Sequence, residues 1–241
     1  MRPVRSRFGG GFGGGIPGLE AMSAKLAIGL VAGSVLFLAT GGVNGGGALL
    51  LLIPEAVRKL FLWQPLTYAF VERDALGIIF GALIIWSIGG WLEGVWGSRR
   101  MLMVAVGGTA LAGVLTVLVS FVVPVGSFYF TGGTVMASIL WVTYGLTIGR
   151  GQTNFWGMPV TGNMLAIIGA GFVILRTVQA GWASQLPDLF GLLIALGYVR
   201  GGSPRRLWLQ IQHWRLQRQL RGRARNLRVI SSERPNDRFL N

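Results

Sequence analysis

Long apolar stretches recur along this sequence, and the charged positions fall mainly between them. A helix that crosses a bilayer needs about 20 consecutive, predominantly apolar residues. Six stretches approach or exceed that length, at 26–42, 75–92, 101–123, 128–149, 156–175 and 183–199. The pattern predicts an all-α polytopic membrane protein with six transmembrane helices. The second and sixth stretches carry the weaker signal, because each is near the minimum length and contains glycines or a polar residue.

The composition agrees with this class of protein. Hydrophobic residues make up 52% of the 241 positions and charged residues 12%, which is about half the charged share of an average soluble protein. Cysteine is absent, so disulfides, thiol nucleophiles and thiolate metal sites are excluded. We expect neither a metal ion nor a cofactor.

The distribution of lysine and arginine predicts the orientation in the membrane. Basic residues precede the first stretch, follow the second and fourth, and dominate from Arg200 onward; on this side lie Arg2, Arg5, Arg7, Lys25, Arg99, Arg100 and Arg150. On the opposite side, Arg176 lacks an acidic neighbour in the sequence, whereas the other basic residues are offset by Glu55, Glu72 and Asp74. Because loops rich in Lys and Arg stay in the cytoplasm, both termini should be cytoplasmic. The short loops favour a bacterial inner membrane.

Two flanking segments differ from the membrane region. Residues 1–23 form a Gly-rich leader without an evident signal peptide, and we expect a flexible cytoplasmic tether. Residues 24–200 form the predicted six-helix domain, and residues 201–241 form a basic cytoplasmic tail. In the tail, Ser203 is a suitable N-cap and Pro204 a suitable first helical residue.

The tail predicts a basic amphipathic helix. Leu207, Ile211 and Trp214 recur at steps of four and three residues among many arginines. Such a helix would lie on anionic lipid headgroups or dock on a protein partner. The contact residues that we expect are Trp208, Ile211, Trp214, Arg215, Arg218 and Arg221. We expect no nucleic-acid binding, since the tail shows no recognisable nucleic-acid-binding module.

The segment 62–102 carries the most specific signal. Two groups of residues stand out in it, namely Trp63, Gln64, Thr67, Tyr68 and Phe70, then Glu93, Gly97, Ser98 and Arg100. Together they resemble the rhomboid family of intramembrane serine proteases, whose first loop carries a Trp-containing motif and whose second helix ends in Glu-x-x-x-Gly-Ser-x-Arg. From the residues alone, Glu93, Arg99 and Arg100 stand where charges reach water and one another, and Gly97 permits a tight return.

The resemblance extends to the fourth stretch, where the family's nucleophile is replaced. The family motif Gly-x-Ser-Gly corresponds to Gly132, Gly133, Thr134 and Val135 in this chain. Thr134 therefore takes the place of the catalytic serine. The six stretches, the long first loop and this Gly-rich entry fit the rhomboid core over residues 24–200.

The other catalytic positions implied by the resemblance are altered as well. The sixth-helix histidine corresponds to Asp188, followed by a matching Gly191. The two second-helix positions that help to hold the oxyanion correspond to Gly77 and Gly81, and a histidine that often follows the loop phenylalanine is replaced by Glu72. The resemblance thus implies the rhomboid fold without its Ser and His dyad.

The chemistry leaves some alternatives open. A hydroxyl nucleophile needs a nearby base, and the one histidine, His213, lies in the tail. Asp188 could serve as the base in a non-standard protease with Thr134, although Gly77 and Gly81 would supply no side-chain oxyanion donor. Asp188 could instead hydrogen-bond to Thr134 as a relic of the dyad, form an ion pair with Arg176, or face water at a helix entrance.

Three functions follow from these patterns. The first is a catalytically inactive rhomboid-like protein that binds transmembrane segments of other integral membrane proteins, or lipids. The second is a structural subunit of a larger membrane complex, docked by its basic tail. The third is an intramembrane protease with a Thr134 and Asp188 site.

Overall fold

The computed structural model describes residues 17–123, 128–155 and 158–201. The tail positions Trp208, Ile211, Trp214, Arg215, Arg218 and Arg221 lie outside these residues, as do His213 and the greater part of the leader. Within the described ranges the helices are α1 (Met22–Ala39), α2 (Pro54–Arg58), α3 (Gln64–Thr67), α4 (Ala75–Trp96), α5 (Ser98–Leu102), α6 (Gly108–Val119), α7 (Gly133–Ile148), α8 (Gly162–Ala180) and α9 (Leu186–Arg200). Strands β1 (Gln152–Phe155) and β2 (Met158–Thr161) pair antiparallel.

Five helical segments of the described residues are long and apolar enough to cross a membrane. They are α1, α4, the continuous pair α5 and α6 over Ser98–Val119, α8, and the segment Trp182–Arg200 that contains α9. A π-helical turn at Met103–Gly107 joins α5 to α6 without interrupting that span. The chain is therefore an integral membrane protein of mainly helical fold, as the apolar stretches predict.

The outer faces of these helices are apolar and exposed. Examples are Val35 on α1, Ile79 on α4, and Ile167 and Val178 on α8. Fewer than half of the residues in the apolar parts of α1, α4 and α8 are buried inside the protein, so the larger part of each helix faces outward. A soluble protein seldom exposes contiguous apolar surface on this scale, and lipid chains would cover it in a bilayer.

Helix α7 occupies the centre of the bundle. Ten of its 16 residues are buried, and α4, α8 and α9 all pack against it. At 1.5 Å per residue it is about 24 Å long, which is shorter than a hydrocarbon core of about 30 Å. Because protein rather than lipid surrounds it on most sides, this short helix does not need to match the thickness of the bilayer.

Glycines allow α7 and α8 to approach each other closely. A Cβ atom on Gly145 would lie 2.5 Å from the backbone nitrogen of Ala166 and 2.6 Å from the carbonyl oxygen of Gly162. Real Cβ atoms do not make such contacts, so any side chain at Gly145 would force the two helices apart. A Cβ atom on Gly171, on the outward side of α8, would have nothing within 4 Å.

The helix boundaries differ from the sequence prediction in two places. The fourth stretch was predicted from residue 128, but α7 begins at Gly133 because Phe130 pairs with Leu52 through two backbone hydrogen bonds of 3.0 and 3.1 Å. The fifth stretch was predicted to run from 156 to 175, but a hairpin precedes it and α8 spans Gly162–Ala180. Arg176, expected outside the helix, therefore lies within α8.

Candidate functional site

The N-terminus of α7 is capped by the connection between α1 and α4. The backbone N–H of Gly132 donates to the carbonyl oxygens of Tyr68 and Val71 at 2.9 and 3.2 Å, and the N–H of Gly133 donates to Val71 at 3.2 Å. The N–H of Thr134 donates to Glu72 Oε2 at 3.1 Å. The first N–H groups of a helix lack partners within the helix and carry partial positive charge. Here the chain's own carboxylate occupies that anion-binding position.

Glu72 is buried and held by several donors. Its side chain is 3% exposed. Oε1 accepts hydrogen bonds from the Thr131 hydroxyl at 3.1 Å and the backbone N–H of Arg73 at 3.0 Å, while the N–H of Glu72 itself donates to Ser34 Oγ at 2.9 Å. A buried carboxylate is stable only when its oxygens are hydrogen-bonded or paired. The geometry therefore fixes Glu72 in place as a helix cap.

The glycines at the predicted oxyanion positions lie at this same place. A Cβ atom on Gly77 would lie 2.7 Å from Glu72 Cγ. One on Gly81 would lie 3.1 Å from Leu30 Cδ2 and 3.9 Å from the carbonyl oxygen of Gly133. Glu72 and Leu30 thus fill the space beside both glycines. We call this region of the molecule the Glu72 end of the bundle.

Glycine is also required at the start of α7. A Cβ atom on Gly132 would lie 2.8 Å from the Cα of Ala69, and one on Gly133 would lie 2.7 Å from Leu30 Cδ1. The contact of Gly132 is with backbone, which cannot move aside as a flexible side chain can. A side chain at Gly132 would therefore separate α7 from its cap, whereas one at Gly133 would require the end of the Leu30 side chain to move.

An apolar groove lies beside Thr134, between α4 and α8. Its volume is about 490 Å³, and the residues that line it from α4, α7 and α8 include Phe80, Ile84, Thr134, Ser138, Phe172 and Arg176. Both α4 and α8 pack on α7, but they make little contact with each other, so α7 forms the floor. Helix α9 contributes no lining residue to this groove.

The structure does not bring Thr134 and Asp188 into contact. Asp188 is 6% exposed, and its Oδ1 atom is buried without a hydrogen-bond partner. Among the described residues, Asp188 forms neither a hydrogen bond with Thr134 nor an ion pair with Arg176, and it does not line the groove. Neither of the two pairings considered from the sequence forms in this part of the chain.

Gly191 has a packing role one turn further along α9. A Cβ atom on Gly191 would lie 3.1 Å from both Val135 Cγ1 and Ile139 Cγ1. These side chains lie on a different face of α7 from Thr134, since Thr134 lines the groove and they do not. Gly191 therefore allows α9 to pack closely on α7, away from the groove.

Glu93 caps a second helix at the opposite end of the bundle. Its carboxylate accepts hydrogen bonds from the backbone N–H groups of Met22 and Ser23 at 3.1 and 3.0 Å, and from Ser98 Oγ at 2.6 Å. It therefore satisfies the N-terminus of α1 rather than pairing with Arg99 or Arg100. Both arginines are exposed and form no ion pair within the described residues.

Gly97 forms the turn that follows Glu93. Gly97 has φ +82, a left-handed backbone conformation that glycine adopts without steric cost. Nothing lies within 4 Å of a Cβ atom placed there, so the requirement for glycine is conformational. This turn reverses the chain between α4 and α5.

The loop motif organises the connection 40–74. Gln64 is 1% exposed, and its Oε1 accepts the N–H of Ile53 at 3.1 Å. Trp63 Nε1 donates to the carbonyl oxygen of Leu49 at 3.2 Å. The buried Tyr68 hydroxyl donates to the carbonyl oxygen of Thr109; burial raises the pKa of this phenol above its usual range, so it stays protonated. The first two contacts hold the connection together, and the third anchors it to α6.

The comparisons with known proteins assign no family. No protein-family model matches the chain, and no curated protein matches it. No group of three or more His, Asp or Glu side chains that could hold a metal ion occurs within residues 17–123, 128–155 and 158–201. The rhomboid resemblance rests on the sequence motifs alone.

Proposed function

We propose that this chain is a catalytically inactive, rhomboid-like membrane protein that binds transmembrane segments of other membrane proteins in the groove between α4 and α8. The observation that carries the proposal is the hydrogen bond from the Thr134 N–H to Glu72. In this proposal α7 crosses the membrane together with the five longer segments, which makes six crossings. The protein lies in a bacterial inner membrane, with both termini in the cytoplasm.

Glu72 argues against acyl transfer at Thr134. A tetrahedral intermediate needs N–H donors aimed at its developing oxyanion. The Thr134 N–H already donates to a carboxylate, and that carboxylate's negative charge would repel an oxyanion in a site of low dielectric constant. The position that would stabilise the transition state is filled by the chain itself.

The Thr134 hydroxyl also lacks a base. Activation of a hydroxyl requires a general base within hydrogen-bond reach, and within the described residues no side chain accepts a hydrogen bond from it. Asp188 is buried away from the groove lining. These features support recognition without cleavage.

The groove itself supports helix binding. It is open between α4 and α8, and its walls are mainly apolar, including Phe80 and Phe172. Small residues such as Gly81, Ala137 and Gly169 line it as well, and small residues let helix backbones approach closely in membranes. A transmembrane segment could therefore contact α7 directly.

Site-specific photo-crosslinking tests the proposal. A photoreactive residue at Phe80 or Phe172 would face the groove, whereas neighbouring Ile79 or Ile174 would face outward, since both are exposed and do not line it. We expect Phe80 and Phe172 to crosslink to hydrophobic peptides of single-span proteins, identified by mass spectrometry of the crosslinked peptide. Equal capture of such peptides at the two matched control positions would contradict the proposal.

A further inference from the structure

Arg176 is a positive charge at one end of the groove. It lies four residues before the last residue of α8, Ala180, which is about 6 Å along the helix axis. Its side chain is half-buried and lines the groove together with Gly77 and Thr134. In the part of the chain that the structure describes, it forms no hydrogen bond and no ion pair.

The carboxylates at the Glu72 end do not bind the guanidinium of Arg176. Glu72 is engaged by the N-terminus of α7, and Asp74 caps α4 by accepting the N–H of Gly77 at 2.8 Å. Asp188 is buried outside the groove lining and forms no ion pair with Arg176. The guanidinium donors of Arg176 are therefore open to a ligand in the groove.

A docked helix would change the surroundings of this charge. An empty groove leaves the guanidinium accessible to water and lipid headgroups, which solvate it. A helix that fills the groove displaces them, and a charged group left unpaired in a membrane interior is costly. An acidic residue on the docked helix would remove this cost through a charge-assisted hydrogen bond, whereas a basic residue at the same level would be repelled.

We propose that the groove selects transmembrane segments that carry an aspartate or glutamate at the level of Arg176, about one helical turn inside the membrane at the Glu72 end. This inference rests on the proposed function and names the class of partner. The hydroxyls of Thr134 and Ser138, four residues apart on one face of α7, also line the groove. Within the described residues no hydrogen bond occupies either hydroxyl, so both are available to polar groups of the docked segment.

The test uses the full-length protein in proteoliposomes with synthetic single-span helices. Three helices of identical Leu and Ala sequence carry Asp, Asn or Lys at the level of Arg176, and crosslinking at Phe80 measures their occupancy of the groove, with Ile79 as the control position. We expect the Asp helix to bind about tenfold more tightly than the Asn helix, because a hydrogen bond to a charged group is stronger than a neutral one by about this factor in affinity. The Lys helix should bind most weakly.

Variants at Arg176 separate charge from packing. Arg176→Gln should abolish the difference between the Asp and Asn helices, Arg176→Lys should keep most of it, and Arg176→Asp should favour the Lys helix. Arg176→Lys changes the same position but keeps the positive charge. It therefore controls for a loss of selectivity that results from poor folding rather than from loss of the charge. Crosslinking at Phe80 in vesicles with and without phosphatidylglycerol shows whether an anionic lipid occupies the groove instead of a helix.

The outcomes are distinguishable. Equal crosslinking of the Asp, Asn and Lys helices at Phe80, above the Ile79 control, overturns the selectivity and leaves helix binding standing. Absence of any helix crosslink above the control overturns both. Crosslinking of phosphatidylglycerol at Phe80 that the Asp helix does not compete away overturns the selectivity in favour of lipid.

Discussion

Two glutamates of this protein act as caps for helices distant in sequence. Glu72 satisfies the N-terminus of α7, 62 residues away, and Glu93 satisfies the N-terminus of α1, 70 residues away. In a membrane no water is available to satisfy the unpaired N–H groups at a buried helix end, so such groups need partners within the protein. Each carboxylate also complements the positive end of the helix dipole.

Replacement of Glu72 should destabilise the protein. Glu72→Ala leaves the Thr134 N–H, the Thr131 hydroxyl and the Arg73 N–H without their acceptor, and an unsatisfied buried polar group costs about 1 to 3 kcal/mol. Glu72→Gln keeps one acceptor oxygen and should cost less. Thermal unfolding in detergent micelles measures the difference.

Glu55 provides the matched control for this change. It is exposed and forms no hydrogen bond within the described residues, so Glu55→Ala should change the free energy of unfolding by no more than about 0.5 kcal/mol. Equal stability of the two alanine variants would show that the carboxylate of Glu72 does not cap α7.

At the scale of elements, the short central helix depends on close packing with its neighbours. Gly145 allows α8 to approach α7 at backbone distance, and Gly191 allows α9 to pack on the side chains of Val135 and Ile139. These contacts hold the floor of the groove, while α4 and α8 stay apart on either side of it. The groove therefore lies over α7, where α4 and α8 do not meet.

Alanine substitution of Gly145 should be destabilising. Its Cβ atom would lie 2.5 Å from the backbone of Ala166, and overpacking of this kind costs about 1 to 3 kcal/mol. Gly171→Ala on the outward face of α8 meets open space, and should be neutral or stabilising because alanine favours helix over glycine by about 1 kcal/mol. Unfolding of both variants in the same detergent checks the contrast, and a tolerated Gly145→Ala would contradict the close packing.

At the scale of the whole molecule, the apolar stretches predicted the mainly helical membrane fold because a span requires length and hydrophobicity alone. The hairpin around Met158 and the position of Arg176 inside α8 were not predictable in this way, since the hydrophobic run around Trp156 is equally compatible with a helix. The pairing of Phe130 with Leu52 and the capping by Glu72 were also missed. They depend on contacts between distant segments, which periodicity along the chain does not encode.

Several positions that the rhomboid resemblance singled out lie in one region of the structure. Gly77, Gly81 and Glu72 lie at the start of α7 beside Thr134. Nothing in the motifs indicated that Glu72 would occupy the N–H of Thr134, because a motif comparison marks only that a residue differs. The proposal that recognition has replaced catalysis therefore draws its support from the geometry rather than from the substitutions.

The most direct test of this account is the mass of a helix captured in the groove. A single-span helix with an aspartate at the level of Arg176 is crosslinked at Phe80 in the reconstituted full-length protein. The helix is then released, and its mass is measured by mass spectrometry. We predict that the captured helix is intact both with the wild type and with Thr134→Ala. Shortened helix fragments that form with the wild type and disappear with Thr134→Ala would show a working protease and contradict the account.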